Sequence, residues 1–193
     1  MTLKRYLKSL ESQSKRLFSQ GGIFDIVLYG SSVKSKDEPR DIDIAIIFLD
    51  KKMKERLEVA WQFKKNLPSG LDYDIQTLNI SEFFDEGFLA RKNILIEGFS
   101  LVSKKKISEK LGFSRQTLFS YSLGNLDHNE KTKFIYSLSG RGKIEGMIKK
   151  THGKIIGKGA FLIPVENSLL FEEFLEKWRI KFSKKNILVQ HDN

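Results

Sequence analysis

Apolar residues recur along this chain with two periods, the three-to-four spacing of helices and the continuous or alternating runs of strands. Leu3, Leu7, Leu10, Leu17 and Phe18 stand at helical spacing among Lys, Arg, Ser and Gln, and Gly21-Gly22 supplies the stop. Phe24 to Tyr29 reads as a buried strand broken by Gly30-Ser31-Ser32, and a polar segment from Lys34 to Arg40, containing Pro39, leads to a second strand, Asp41 to Leu49. Met53, Leu57, Ala60, Trp61, Phe63 and Leu67 among lysines predict a helix with one face on a sheet, ended by Pro68-Ser69-Gly70. Leu71 to Leu78 reads as a third strand, and Ser81 as the N-cap of a helix continuing through Ile94, Leu95 and Ile96 to Gly98. The order helix, strand, turn, strand, helix, strand, helix defines an α/β (α+β) unit over residues 1–103.

Lys104-Lys105-Lys106 marks the expected boundary to a second domain, residues 104–193. Residues 107–120 carry two competing patterns. Gly112 in a turn, with Arg115-Gln116 opening a recognition helix, would make a helix-turn-helix; Phe119 to Leu123 alternate apolar and polar as a strand does. No third amphipathic helix follows clearly, which favours the strand. Asn129 to Leu138 predict a helix, Ser139 to Lys143 a basic turn, and Ile144 to Thr151 a short helix. Gly153, Gly157 and Gly159 bracket a hairpin leading into a strand from Ala160 to Val165. Asn167 or Ser168 caps a helix with the stripe Leu170, Phe171, Phe174, Leu175 and Trp178; Ile180–Phe182 and Ile187–Val189 close the chain as short strands. The second domain is thus expected to be a smaller, basic α+β module.

Composition narrows the chemistry. With no cysteine and three scattered histidines, neither disulfides nor a thiolate or zinc centre is expected. No apolar run approaches the roughly 20 residues of a membrane helix, and the lysine-rich start lacks a signal peptide's apolar centre. A cytoplasmic location with no membrane partner is the expectation. The net charge of +10 is uneven: residues 1–103 hold 16 basic against 15 acidic residues, whereas residues 104–193 hold 18 against 9. A basic excess confined to one half suits a polyanion-binding module, and equally a lysine-solvated surface. Arg141, Lys143, Lys149, Lys150, Lys154 and Lys158, gathered around glycine turns, are the candidate contacts to a nucleic-acid backbone. Neither a dinucleotide fingerprint, which would need glycine where Glu145 stands, nor a P-loop is present.

The sharpest signal is at the mouth of the second strand. Asp41 and Asp43 are two apart, so both point to one face, about 6.6 to 6.8 Å apart along the strand. Paired anions there call for a cation, and magnesium takes oxygen ligands from one or two carboxylates plus substrate phosphates. Gly30 lets a ligand approach the backbone, and the hydroxyls of Ser31 and Ser32 could hold phosphate. Asp74 on the third strand is the candidate third carboxylate because it lies deeper in the apolar strand; Asp72, of the same parity, is the alternative.

Leu28-Tyr29-Gly30-Ser31, nine residues, then Asp41-Ile42-Asp43-Ile44 resembles the signature of the DNA polymerase β nucleotidyltransferase superfamily, and above all its small bacterial and archaeal members. The likeness covers about Leu3 to Val102. It implies a mixed sheet with flanking helices and metal-dependent transfer of a nucleoside monophosphate from a nucleoside triphosphate to an acceptor hydroxyl, with release of pyrophosphate. By the same resemblance Gly30 and Ser31, with Ser32, would grip the nucleotide phosphates; Asp41 and Asp43 would bind two Mg2+ ions, Mn2+ being a possible substitute. Asp74 would contact the catalytic metal and help deprotonate the acceptor, and Lys34 would be the basic residue that follows the Gly-Ser pair. The basic second domain makes RNA or another nucleic acid the expected acceptor. A protein or small molecule is the alternative, since similar small nucleotidyltransferases include antitoxins that adenylylate a toxin and enzymes that act on aminoglycosides. A third reading is a non-catalytic DNA-binding regulator using residues 107–120.

Overall fold

The computed structural model describes residues 3–34 and 41–190, without the side chains of residues 3–5, Ser32 and Lys34. Most of the predicted polar connection, residues 35–40, therefore lies outside the described residues, as do the side chains of two candidate phosphate contacts, Ser32 and Lys34. The chain forms two compact units, Met1–Leu111 and Gly112–Asn193.

In the first unit, helix α1 (Leu3–Phe18) leads into strand β1 (Ile23–Tyr29), a short helix α2 (Ser31–Lys34) and strand β2 (Asp41–Phe48). Helix α3 (Met53–Lys65), strand β3 (Asp72–Asn79), short helices α4 (Ile80–Phe83) and α5 (Arg91–Glu97), strand β4 (Phe99–Ser100) and helix α6 (Ile107–Lys110) complete it. The sheet runs β3-β2-β1-β4; β1 is antiparallel to β2 and β4, while β2 and β3 are parallel, joined by α3. The sheet is mixed, with helices on both faces, as the sequence pattern implies.

Burial on both faces explains why β1 and β2 are almost continuously apolar. On one face Ile26, Leu28, Ile42, Ile44, Ile46 and Phe48 pack with Leu10 and Leu17 of α1 and Ala60 and Phe63 of α3. On the other, Val27, Tyr29, Ala45, Ile47 and Leu78 pack with Phe83, Ile94 and Ile107 from α4, α5 and α6. Two expected features change. Asn79, not Ser81, caps α4, sharing a capping box with Glu82, and the single helix expected from Ser81 to Gly98 is two, α4 and α5. In α3 the buried residues are Arg56, Ala60 and Phe63, whereas Met53, Leu57 and Trp61, each four residues from the next, are 57–60% exposed. Arg56 can be buried because its guanidinium forms a double ion pair with Glu82, one arm at 3.0 Å.

The second unit contains strand β5 (Phe113–Ser122), helix α7 (His128–Ser139), the hairpin β6 (Gly140–Arg141) and β7 (Ile144–Glu145), and helix α8 (Met147–Lys150). Strands β8 (Lys154–Gly157) and β9 (Ala160–Pro164), a 3-10 turn (Val165–Asn167), helix α9 (Ser168–Lys177) and strand β10 (Lys181–Gln190) follow. An antiparallel sheet of order β10-β5-β9-β8 carries on one face an aromatic core, with Phe119, Phe134, Phe161 and Phe171 fully buried.

The helix-turn-helix expected as one alternative at residues 107–120 does not form. Residues 107–110 make one turn of helix, and where a recognition helix would lie, β5 pairs with β10 along its whole length and with β9. Burying Thr117 and Phe119 on one side of a strand wins over the local helix signal. For the same reason the two closing strands are one, β10, paired throughout with β5. Ile144 and Glu145 belong to the β6–β7 hairpin and leave only Met147–Lys150 helical.

Candidate active site

The register of the first sheet brings the candidate carboxylates together. Asp43 lies opposite Tyr29 on β1 and opposite Asp74 on β3, and Asp41 lies opposite Asp72. Tyr29, Asp43 and Asp74 thus form one row across three strands, spaced by about 4.8 Å per strand. All of them share the face that α4, α5 and α6 cover farther along the sheet, beyond whose cover Asp41, Asp72 and Asp74 are exposed and Asp43 is half-buried. The apolar strand fixes the position of the acids, and among the described residues no helix covers this face at this end of the sheet.

The electrostatics single out Asp43. Its carboxyl is held above the usual carboxylate range, by burial first and then by the negative charges of Asp41 and Asp74. Asp74, not Asp72, is therefore the β3 carboxylate felt most at Asp43. Tyr29, buried beside them, has its hydroxyl pushed up to about 12 by burial and by Asp43 and Asp74. Among the described residues no group of three or more His, Cys, Asp or Glu side chains is arranged to hold a metal ion. The repulsion focused on Asp43 is nonetheless of the kind a divalent cation relieves, and hard carboxylate oxygens suit magnesium or manganese.

Gly30 is built into this arrangement. Its φ is +74°, and a Cβ there would lie within 1.9 Å of Asp43 Oδ2, so only glycine lets the carboxylate lie against the turn. Gly30→Ala is expected to lower stability in urea denaturation by about 1–2 kcal/mol for the left-handed backbone, plus the cost of moving Asp43. Gly21→Ala, at φ +84° with open space around it, isolates the backbone part. Equal losses at the two positions would show that Asp43 does not press on Gly30. Ser31 is exposed at the first position of α2.

The six basic candidates of the second unit are spread over three elements. Arg141, Lys143 and Lys149 line a polar pocket around the β6–β7 hairpin with Gly140, Gly142 and Gly146. There Lys149 pairs with Glu145 at 2.6 Å and the Arg141 guanidinium stacks over Tyr136 at 4.7 Å. Lys150 ends α8, whereas Lys154 and Lys158 belong to the β8–β9 hairpin.

One polar centre escaped the sequence pattern. Asp25, fully buried, accepts hydrogen bonds at Oδ1 from Ser100 Oγ (2.7 Å) and its neighbour's backbone N–H, that of Ile26 (2.8 Å), and pairs through Oδ2 with Lys110 Nζ (2.8 Å). The only sequence signal was an acid inside an apolar strand; its partners are 75 and 85 residues away.

Residues 3–101 match the model of the family described as "Nucleotidyltransferase domain". No curated protein matches the chain. Among solved structures, one of a protein assigned as a nucleotidyltransferase from Sulfolobus solfataricus is similar, at 20% identity over 42% of this chain and 72% of that one, with a TM-score of 0.33. No described helix is long and apolar enough to cross a membrane.

Proposed function

This chain belongs to the nucleotidyltransferase domain family, and from that premise we propose that it transfers a nucleoside monophosphate from a nucleoside triphosphate to the hydroxyl of a nucleic-acid acceptor, using Asp41, Asp43 and Asp74. The observation that carries the reading is the convergence of three carboxylates on one open end of the sheet, with Asp43 pressed against Gly30 and charged neighbours on either side.

Each residue has a task. Gly30 lets the triphosphate approach the strand end, and Ser31 offers a hydroxyl beside it, with Ser32 and Lys34 as further phosphate contacts. Asp41 and Asp43, with Asp74, would hold the divalent cations, magnesium or manganese, and a bound cation would lower the pKa of the attacking hydroxyl and offset the charge of the triphosphate. Asp74 takes the proton of the acceptor hydroxyl as that oxygen bonds to the α-phosphorus. The bond from phosphorus to the bridging oxygen breaks in the same displacement, and pyrophosphate leaves with its electron pair. Asp74 is preferred to Asp72 for this role because it shares the row of Asp43.

A protein acceptor is the second reading, and one observation favours it. The stripe Met53, Leu57 and Trp61 on α3 is a contiguous exposed apolar surface of the sort partner proteins cover. Incubation with each labelled nucleoside triphosphate, magnesium and a mixture of RNA and protein extract separates the two. Label is expected in RNA; label confined to protein overturns the nucleic-acid reading. Asp72→Asn is expected to keep transfer within about threefold, a change well under 1 kcal/mol. A loss as deep as that of Asp74→Asn would reassign the third carboxylate.

A further inference from the structure

The sheet of the second unit has two faces of opposite character. Its inner face carries the aromatic core, and α7, α8 and α9 pack on that side. The other face carries the alternate residues of each strand, and within this unit no described helix covers it. The register orders these residues into rows. Lys185 on β10 lies opposite Leu118 on β5, Leu118 opposite Leu162 on β9, and Leu162 opposite Lys154 on β8. The next row holds Ser183, Ser120 and Ala160, and the one beyond pairs Lys181 with Ser122. Lys154, Lys181, Lys185, Ser120, Ser122 and Ser183 are all exposed, and the two leucines are half-buried between them.

The described carboxylates are confined to one side of this unit. Among the described residues, no Asp or Glu lies on any strand position of the open face, and none of its three lysines is ion-paired. The described acidic residues of this unit lie instead in α7 and its cap, the β6–β7 hairpin, the 3-10 turn and α9. Several are already neutralised there: Glu145 by Lys149, Glu166 by Arg115 and Glu172 by Lys184. The three lysines of the open face are therefore opposed by no carboxylate on that face.

We propose that this open face is the docking site for a nucleic-acid strand. Lys154 and Lys185, at opposite edges and three strand spacings or about 14 Å apart, with Lys181 farther along β10, meet the phosphates. The serine hydroxyls offer hydrogen bonds to phosphate or sugar, and Leu118 and Leu162 give an apolar floor for unstacked bases. An acidic protein surface would also meet lysines, but it would not need the hydroxyl rows. The site deepens the nucleic-acid reading of the acceptor and moves it from the glycine-turn cluster, where Lys149 and Arg141 are engaged, to the sheet.

The test uses the full chain and a labelled single-stranded oligoribonucleotide, with the matching oligodeoxyribonucleotide as a second arm, read by fluorescence anisotropy across a salt series. The triple variant K154E/K181E/K185E is expected to weaken binding at least tenfold. The milder K154Q/K181Q/K185Q, which removes the charges without reversing them, is expected to flatten the dependence of log affinity on log salt by about 2, at roughly 0.7 for each phosphate no longer neutralised. The control K131E/K133E/K177E makes the same charge change on the helical side and is expected to shift affinity less than threefold. Equal weakening by the sheet and control triples, or loss only on changing Arg141 and Lys143, overturns the site, as does absence of binding at low salt. Loss restricted to the RNA arm keeps the site and makes the ligand RNA; equal loss in both arms keeps it as a general strand-binding face. Because binding is read without triphosphate or metal, Asp43→Asn is expected to bind as the parent does. Failure of transfer and failure of docking are therefore separate results.

Discussion

Asp43→Asn is expected to lower nucleotidyl transfer by roughly 10³-fold or more, about 4 kcal/mol of transition-state stabilisation, while leaving the protein slightly more stable. The two effects share one cause. Burial and the charges of Asp41 and Asp74 raise the carboxyl of Asp43, so its ionised form is less favourable in the folded chain than in the unfolded one. The folded state then binds more protons than the unfolded state as pH rises from the ordinary carboxylate value to the raised one, and stability falls across that window. Above it the full penalty is present, so neutral pH is where Asn gains most. Asp43 is only partly buried, which keeps the gain small.

On the proposed reading a bound magnesium ion would relieve the same repulsion, so thermal melting of the parent should rise with added magnesium and that of Asp43→Asn should not. Transfer should also weaken as pH drops toward the raised range of Asp43, because protonation removes a ligand oxygen's charge. Unchanged transfer in Asp43→Asn would remove the carboxylates from the active site altogether. A variant that is inactive and also markedly less stable would make Asp43 a structural residue.

The second large effect is on stability. Lys110→Ala is expected to destabilise the chain by about 3–5 kcal/mol, the cost of leaving a buried charge without its partner. Lys110 is about one-third exposed and could return to water, but Asp25 is fully buried. Both hydrogen bonds that would remain, from Ser100 and the backbone, go to Oδ1, so Oδ2 would lose the ammonium and be left in an apolar environment. Lys110 also lies over the Phe24 ring at 4.9 Å, adding a smaller cation–π contribution. Urea denaturation of Lys110→Ala, Asp25→Ala and the double variant measures the coupling. The double variant should be less destabilised than the sum of the singles. A loss under about 1 kcal/mol would put this pair with ordinary surface salt bridges. The pair ties α6 to β1, so its loss should loosen the end of the sheet opposite the carboxylates more than the site itself.

Much of the site was legible because it is written in local code. Strand alternation puts Asp41 with Asp43, and Asp72 with Asp74, on shared faces whatever surrounds them, and a glycine at a strand end signals a tight approach. The choice between Asp72 and Asp74 was not local. Both satisfy the parity, and only the parallel register of β2 and β3 sets Asp74 beside Asp43. The α3 helix shows the opposite failure. Its apolar residues are too many for one face, and the pairing of Arg56 with Glu82 gave the buried stripe to Arg56, Ala60 and Phe63, turning Met53, Leu57 and Trp61 outward. No periodicity could predict that an arginine would be buried in place of a tryptophan, because the carboxylate that neutralises it is 26 residues away.

The sequence by itself determined the family, the order of elements in the first unit, and the face on which its acids meet, since each depends on spacing within one or two elements. Only the tertiary structure decided which β3 carboxylate neighbours Asp43, that residues 113–122 extend as a strand, and that Lys154, Lys181 and Lys185 share one face of the second sheet. These outcomes turn on pairing between segments far apart in the chain, where burial of Phe119 and the register with β9 and β10 outweigh local preference. The opposed faces of that sheet, one aromatic and one lysine-edged, exist only once the strands have found each other.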